Sequence, residues 1–144
     1  MLQQNTTKRI GYWLLHLHQL FDESTARALS VVDLNRRKWQ VLHAVSIKVD
    51  TVAGIDDAFA PFLAADRADS YRPVVDEFKA CGWVTENDGA ITLTESGAAV
   101  HDRAESLINA HAAEQLDGIS EAEFLAANDV LARIAANVEK QEKQ

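Results

Sequence analysis

Residues 69–97 read DSYRPVVDEFKACGWVTENDGAITLTESG, and the order of signals in this stretch decides the fold. Asp69 or Ser70 is suited to cap a helix, and Pro73 falls in the first helical turn, where no intrahelical N–H is needed. Val74, Val75 and Phe78 share one apolar face, and Gly82 follows Cys81 where a helix-ending glycine belongs. The spacing predicts a short helix over 70–81. Trp83 and Val84 then open a strand, Asp88-Gly89 is a turn dipeptide that accepts positive φ, and Ile91 and Leu93 alternate along a return strand. Thr94 caps a further helix without an intervening linker.

Helix, glycine stop, hairpin and new helix in this order form the core of a winged helix-turn-helix, with the hairpin as its wing. The run Phe78-Lys79-Ala80-Cys81-Gly82-Trp83-Val84, followed at short range by Leu93-Thr94-Glu95-Ser96-Gly97, resembles the MarR-type transcription regulators. The resemblance extends over nearly the whole chain. It implies a mainly α fold with a small β-hairpin wing, in which a winged helix-turn-helix (34–97) is joined to dimerisation helices (8–30 and 98–140) in a single domain over 1–144. It also implies double-stranded DNA and a second copy of the chain as partners, a pseudopalindromic operator, and a small aromatic effector that relieves repression.

Upstream, Ile10, Trp13, Leu14, Leu17, Leu20 and Phe21 recur at threes and fours, which predicts a first helix from Lys8 to about Leu29. Asn35 caps a second helix to about Ile47, whose Trp39 and Val41-Leu42 resemble the start of the family's second helix. Phe59, Phe62 and Leu63 predict a third helix over 55–63, in which Pro61 is an awkward interior residue, with 64–68 as the turn. Downstream, Val100, Ala104, Leu107 and Ile108 mark a long helix to about Leu116, stopped by Asp117-Gly118. Ser120 and Glu123 form a capping box ahead of Phe124, Ala127, Leu131, Ile134 and Val138, a three-four seam of the coiled-coil type, and 139–144 is a tail expected to fray. Apolar terminal helices of this kind need cover, which predicts an obligate homodimer.

The 144 residues suffice for one core. With 14 basic and 22 acidic residues the net charge is −8, so any approach to phosphates depends on local clusters of cations. The lone cysteine permits no intramolecular disulfide, and no stretch has the length and apolarity of a membrane span or the pattern of a cleavable leader. A cytoplasmic protein is expected.

By the resemblance, the 70–81 helix enters the major groove, with Ser70, Tyr71 and Arg72 at its base-facing start and Arg67 and Lys79 beside the phosphates. Arg72 has two readings, a bidentate contact to guanine or a surface ion pair with Asp76. Glu86-Asn87-Asp88-Gly89 lacks the arginine that the family's wing presents to the minor groove. This departure, with Asp76 and Glu77, supports an alternative: a degenerate winged-helix dimer that binds a protein or small ligand but not DNA. Arg36, Arg37 and Lys38 read as a solvated first turn or as phosphate contacts.

Trp13, His16, Trp39 and His43 match the family's effector pocket, each Trp–His pair lying on one helix face; core packing is the competing reading. Cys81 reads as a buried structural thiol rather than a redox sensor. His101 with Glu105 and His111 with Glu114 have ligand-compatible spacing, yet neither pair alone specifies a metal, and none is expected. No nucleophile–base pairing or phosphate-binding glycine loop points to an enzyme, and no cofactor is expected.

Overall fold

The computed structural model describes residues 7–144. The first six residues of the stretch read for a leader lie outside them. Helix α1 spans Ile10–Leu29, beginning two residues after the expected start, and passes through a 3-10 turn, Ser30–Val32, that Asp33 closes in the left-handed region. Helix α2 spans Arg36–Ser46, and the Asn35 side chain accepts the Lys38 N–H as its cap.

The expected third helix over 55–63 is two helices, α3 (Val52–Ala58) and α4 (Ala60–Asp66). Pro61 explains the correction. Inside one continuous helix its ring would meet the carbonyl four residues back and leave a hydrogen bond unmade, so the chain breaks at Phe59 and restarts with Pro61 in a first turn. Helix α4 then continues through part of the expected turn, to Asp66, and Arg67 ends it at φ 53°.

Helix α5 spans Arg72–Ala80, with Pro73 in its first turn and Cys81 at its carboxyl cap. Its amino end is held from another helix: Asp56 accepts the Tyr71 N–H at 2.7 Å and the Ser70 hydroxyl at 2.7 Å, while Ser70 Oγ accepts the Arg72 N–H at 3.0 Å. Strands β1 (Val84–Asn87) and β2 (Ala90–Leu93) pair antiparallel with Asn87 opposite Ala90. Asp88 and Gly89 both take positive φ, as the two-residue hairpin requires. The Ile91 N–H also donates to Asp50 O at 2.8 Å, tying the wing to the segment after α2.

Helix α6 spans Glu95–Gln115. Thr94 accepts the Gly97 N–H and donates its hydroxyl to Gly82 O, and its own N–H donates to Trp83 O at 2.9 Å. A Cβ at Gly97 would stand 1.9 Å from Trp83 O, so only glycine fits this crossing. Helix α7 spans Glu121–Glu142 behind the expected Ser120–Glu123 capping box, and includes most of the tail expected to fray.

The chain forms two compact units, one up to Asn109 and one from Ala110. The core of the first unites Leu29, Val41, Leu42, Ile55, Val75 and Phe78, with Trp39, Val84, Ile91 and Ala104 around them. Each fully buried large side chain contributes about 1.5–3 kcal/mol by leaving water. In the second unit, α7 buries no residue. Cys81, expected to be buried, is exposed: it stands past the last turn of α5, where the chain turns away at Gly82. Among the described residues no helix is long and apolar enough to cross a membrane.

Candidate nucleic-acid interface

Helix α5 points one side, Val75 and Phe78, into the core and leaves Asp76, Glu77 and Lys79 outside. Arg72 lies at its start, half exposed, and is fixed by neither sequence reading alone. Its guanidinium donates to both oxygens of Glu86 on β1, at 2.7 and 3.0 Å, and reaches Asp76 only at 3.4 Å. Lys79 adds a third bond to Glu86 at 3.1 Å. The Arg72 guanidinium, helped by Lys79, lowers the Glu86 carboxyl to about 2, and Glu86 in return raises the Arg72 pKa. The wing therefore lacks a cation of its own and holds the two cations of α5 with an acid.

This clamp was partly legible. The alternation of β1 puts Glu86 on the same side as buried Val84, and a carboxylate turned inward requires a donor. Which donor it finds depends on how the hairpin folds back on α5, and spacing along the chain does not encode that.

The other cations divide in the same way. Arg36 donates to Asp22 at 2.9 Å, Arg37 to Asp66 at 2.6 Å, and Lys38 to Glu77 at 2.8 Å. Arg37 also lies 4.1 Å over the Phe62 ring, so the run at 36–38 is anchored rather than merely solvated. A cleft of about 280 Å³ is lined by Asp22, Asn35, Arg36, Arg37 and Asp66, the groups of this ion-pair cluster. Arg67 and Lys48 are exposed and carry no ion pair among the described residues.

Tyr71 does not stand on the exposed start of α5 as expected. It is 3% exposed, and its hydroxyl donates to Asp66 at 3.0 Å. Burial, then the bond to Asp66, raises this hydroxyl to about 12, while Arg37 lowers Asp66. Ser70 is half-buried, with its hydroxyl given to Asp56.

The four residues matched to an effector pocket fall into separate ring clusters. Trp13 and His16 sit on the exposed part of α1, packed with Tyr12 at 5.0 and 5.6 Å from its ring. Trp39 stacks over His43 and over His101 of α6, at 5.1 Å from each, and the two imidazoles lie nearly coplanar and edge to edge, their centroids 5.3 Å apart. Among the described residues no ring contact joins the first pair to the second. His101 is the member that local spacing missed, because it lies 58 residues beyond His43.

No family model matches the chain, and no curated protein does. Solved structures do. CouR of Rhodococcus jostii, bound to p-coumaroyl-CoA, is 22% identical with a TM-score of 0.75, over 92% of this chain and 96% of CouR. A MarR family protein of Mycobacterium tuberculosis in complex with DNA is 20% identical with a TM-score of 0.64, over 88% of this chain and 97% of that protein. The same protein's complex with salicylic acid gives 20% and 0.63, over 88% and 98%. The fold is thus the mainly α, hairpin-winged architecture of these regulators.

Proposed function

We propose that the protein is a homodimeric, DNA-binding transcription regulator, non-enzymatic and cytoplasmic, acting as a ligand-responsive repressor of a pseudopalindromic operator. The observation that carries this reading is the α5–hairpin unit: a helix with one buried face and one open polar face, directly followed by a wing, in a fold shared with a DNA-bound structure. In this reading residues 34–97 form the DNA-binding module, and 8–30 and 98–140 supply dimerisation. Arg67, Ser70, Arg72 and Lys79 face the duplex, and Tyr71 positions the start of α5 from within. The exposed apolar side chains of α1, such as Leu14 and Leu17, and those of α7, such as Leu131 and Ile134, are covered by the second copy. A small aromatic effector stacks at Trp39 and His43, or at Trp13 and His16. It biases the spacing of the two recognition helices by its differential affinity for the two states.

One observation favours a second reading, a dimer that binds a protein or small ligand without DNA. Glu86 occupies the cations that would meet phosphates, and Asp76 and Glu77 flank them. Fluorescence anisotropy against a pool of random-core duplexes at low salt separates the two. The regulator reading expects saturable binding whose log affinity falls linearly with log salt, at a slope of about 0.9 per phosphate neutralised. It also expects weaker binding in Arg72→Ala. Absence of binding at low salt, from a folded dimer, moves the assignment to the second reading.

A further inference from the structure

The stack of Trp39, His43 and His101 contains a feature that ring packing does not require. His43 Nδ1 and His101 Nε2 face each other at 3.0 Å, and a Glu105 carboxylate oxygen completes a trio whose donor atoms all lie within 4.8 Å of one another. His101 is buried, and His43 and Glu105 are half-buried. The tautomer of His101 is set from behind. Its Nδ1 lies 3.0 Å from Asp102 Oδ1, and a carboxylate only accepts, so Nδ1 carries the proton and Nε2 accepts from the His43 Nδ1–H; to ligate an ion, His43 releases that proton or moves it to its Nε2.

We propose that His43, His101 and Glu105 bind a divalent transition-metal ion, with zinc as the best fit, and leave a fourth position for water or another ligand. Two imidazoles and one carboxylate are the borderline donor set that zinc takes, and a site with three protein ligands keeps one open position. Two metal–nitrogen bonds of about 2.05 Å at the tetrahedral angle place the nitrogens about 3.3 Å apart, a few tenths of an ångström beyond their present separation, and each imidazole, now aimed at the other, turns so that both lone pairs meet on the ion. Helical spacing supplies two of the three ligands, because His101 and Glu105 lie one turn apart on α6, and His43 on α2 closes the site. Asp102 is a positioning residue: it orients His101 and strengthens it as a donor without meeting the ion. Trp39 forms an aromatic wall, stacked on both imidazoles, that limits the ring positions. The site requires only the packing of α2 against α6 within the unit ending at Asn109, so it stands independently of whether the protein binds DNA.

The test is zinc titration of the chelator-stripped full chain against a chromogenic competitor, with the visible spectrum of the cobalt(II) form as a second readout. One zinc per chain and a tetrahedral cobalt spectrum are expected. His43→Gln and Glu105→Gln each weaken zinc at least tenfold and change the cobalt spectrum, whereas Asp102→Asn weakens zinc by about 10–100-fold and retains the tetrahedral spectrum. His111→Gln, at the other ligand-spaced pair, leaves the affinity unchanged. Glu105 is half-buried, so its variant keeps the fold, which a circular-dichroism melt without metal verifies. Failure of the wild-type chain to bind zinc, binding unaffected by both His43→Gln and Glu105→Gln, or loss confined to His111→Gln overturns the proposal.

Discussion

In the unit up to Asn109, Phe78, Leu42 and Ile55 have lost almost all contact with water, whereas α7, in the unit from Ala110, leaves Phe124, Leu131, Ile134 and Val138 exposed at the spacing of a packed seam. The first unit closes a core of its own and satisfies its buried polar groups, although α1 leaves Leu14 and Leu17 exposed. Its buried polar side chains find partners, as Tyr71 does in Asp66 and Ser70 in Asp56. The second has regular local structure, with a capping box and a long uninterrupted helix, but no buried side chain on that helix. Most helical stability in proteins comes from packing one face rather than from propensity and capping. The contrast separates what a chain specifies by itself from what it leaves for a partner.

The largest test acts on the self-sufficient side. Phe78→Ala is expected to destabilise the first unit by about 3–5 kcal/mol, seen as a lower midpoint in urea unfolding, because it opens a cavity beneath both α5 and the wing. Next, Leu131→Glu on α7 is expected to weaken self-association by at least ~100-fold, or about 2.7 kcal/mol, while leaving the fold of the first unit intact. Sedimentation velocity over a dilution series reads this directly, and an unchanged mass distribution would remove the dimer from the functional proposal.

Glu86→Gln sharpens the account of the wing. Releasing Arg72 and Lys79 is expected to tighten duplex binding by about tenfold and to steepen its salt dependence. The same carboxyl makes a pH prediction. Its folded pKa lies near 2, below the unfolded 4.5, so the stability it contributes is whole above pH 4.5 and is lost as pH falls toward 2. The margin by which the wild type exceeds Glu86→Gln in stability should therefore be constant above pH 4.5 and close as pH falls through that window.

Tyr71→Phe is a smaller perturbation, expected to cost about 1 kcal/mol through the bond to Asp66. Here the sign is opposite. The folded hydroxyl is raised from 10 to about 12, so its contribution is complete below pH 10 and is lost as pH rises through 12, a dependence the variant should lack. Cys81→Ser, at an exposed thiol, is expected to change stability by less than about 0.5 kcal/mol in the same melts.

What the sequence made legible follows from range. Asn35, Ser120 with Glu123, Asp88-Gly89 and the Thr94 cap are local signals, and each stands where its neighbours along the chain imply. The break at Phe59 is also local, but periodicity hid it, because Phe59, Phe62 and Leu63 keep helical spacing across a discontinuity that Pro61 enforces. Tyr71 was legible as a residue at a helix start but not as a buried one, since Asp56 and Asp66, which hold it, belong to α3 and α4. The candidate site was least legible where it is most specific. Arg72 with Glu86, and His43 with His101, are tertiary meetings whose partners no periodic pattern names.

The crossing at Gly97 has a consequence for how the molecule opens. Trp83 O receives the Thr94 N–H and lies against the bare Cα of Gly97, while the Trp83 N–H donates to Phe78 O. One residue thus joins the end of α5, the base of the wing and the first turn of α6. Hydrogen exchange in these three segments should therefore proceed as one foldon with a shared opening free energy, rather than as a fraying hairpin beside two stable helices. The wing melts only when the helices on either side of it melt too.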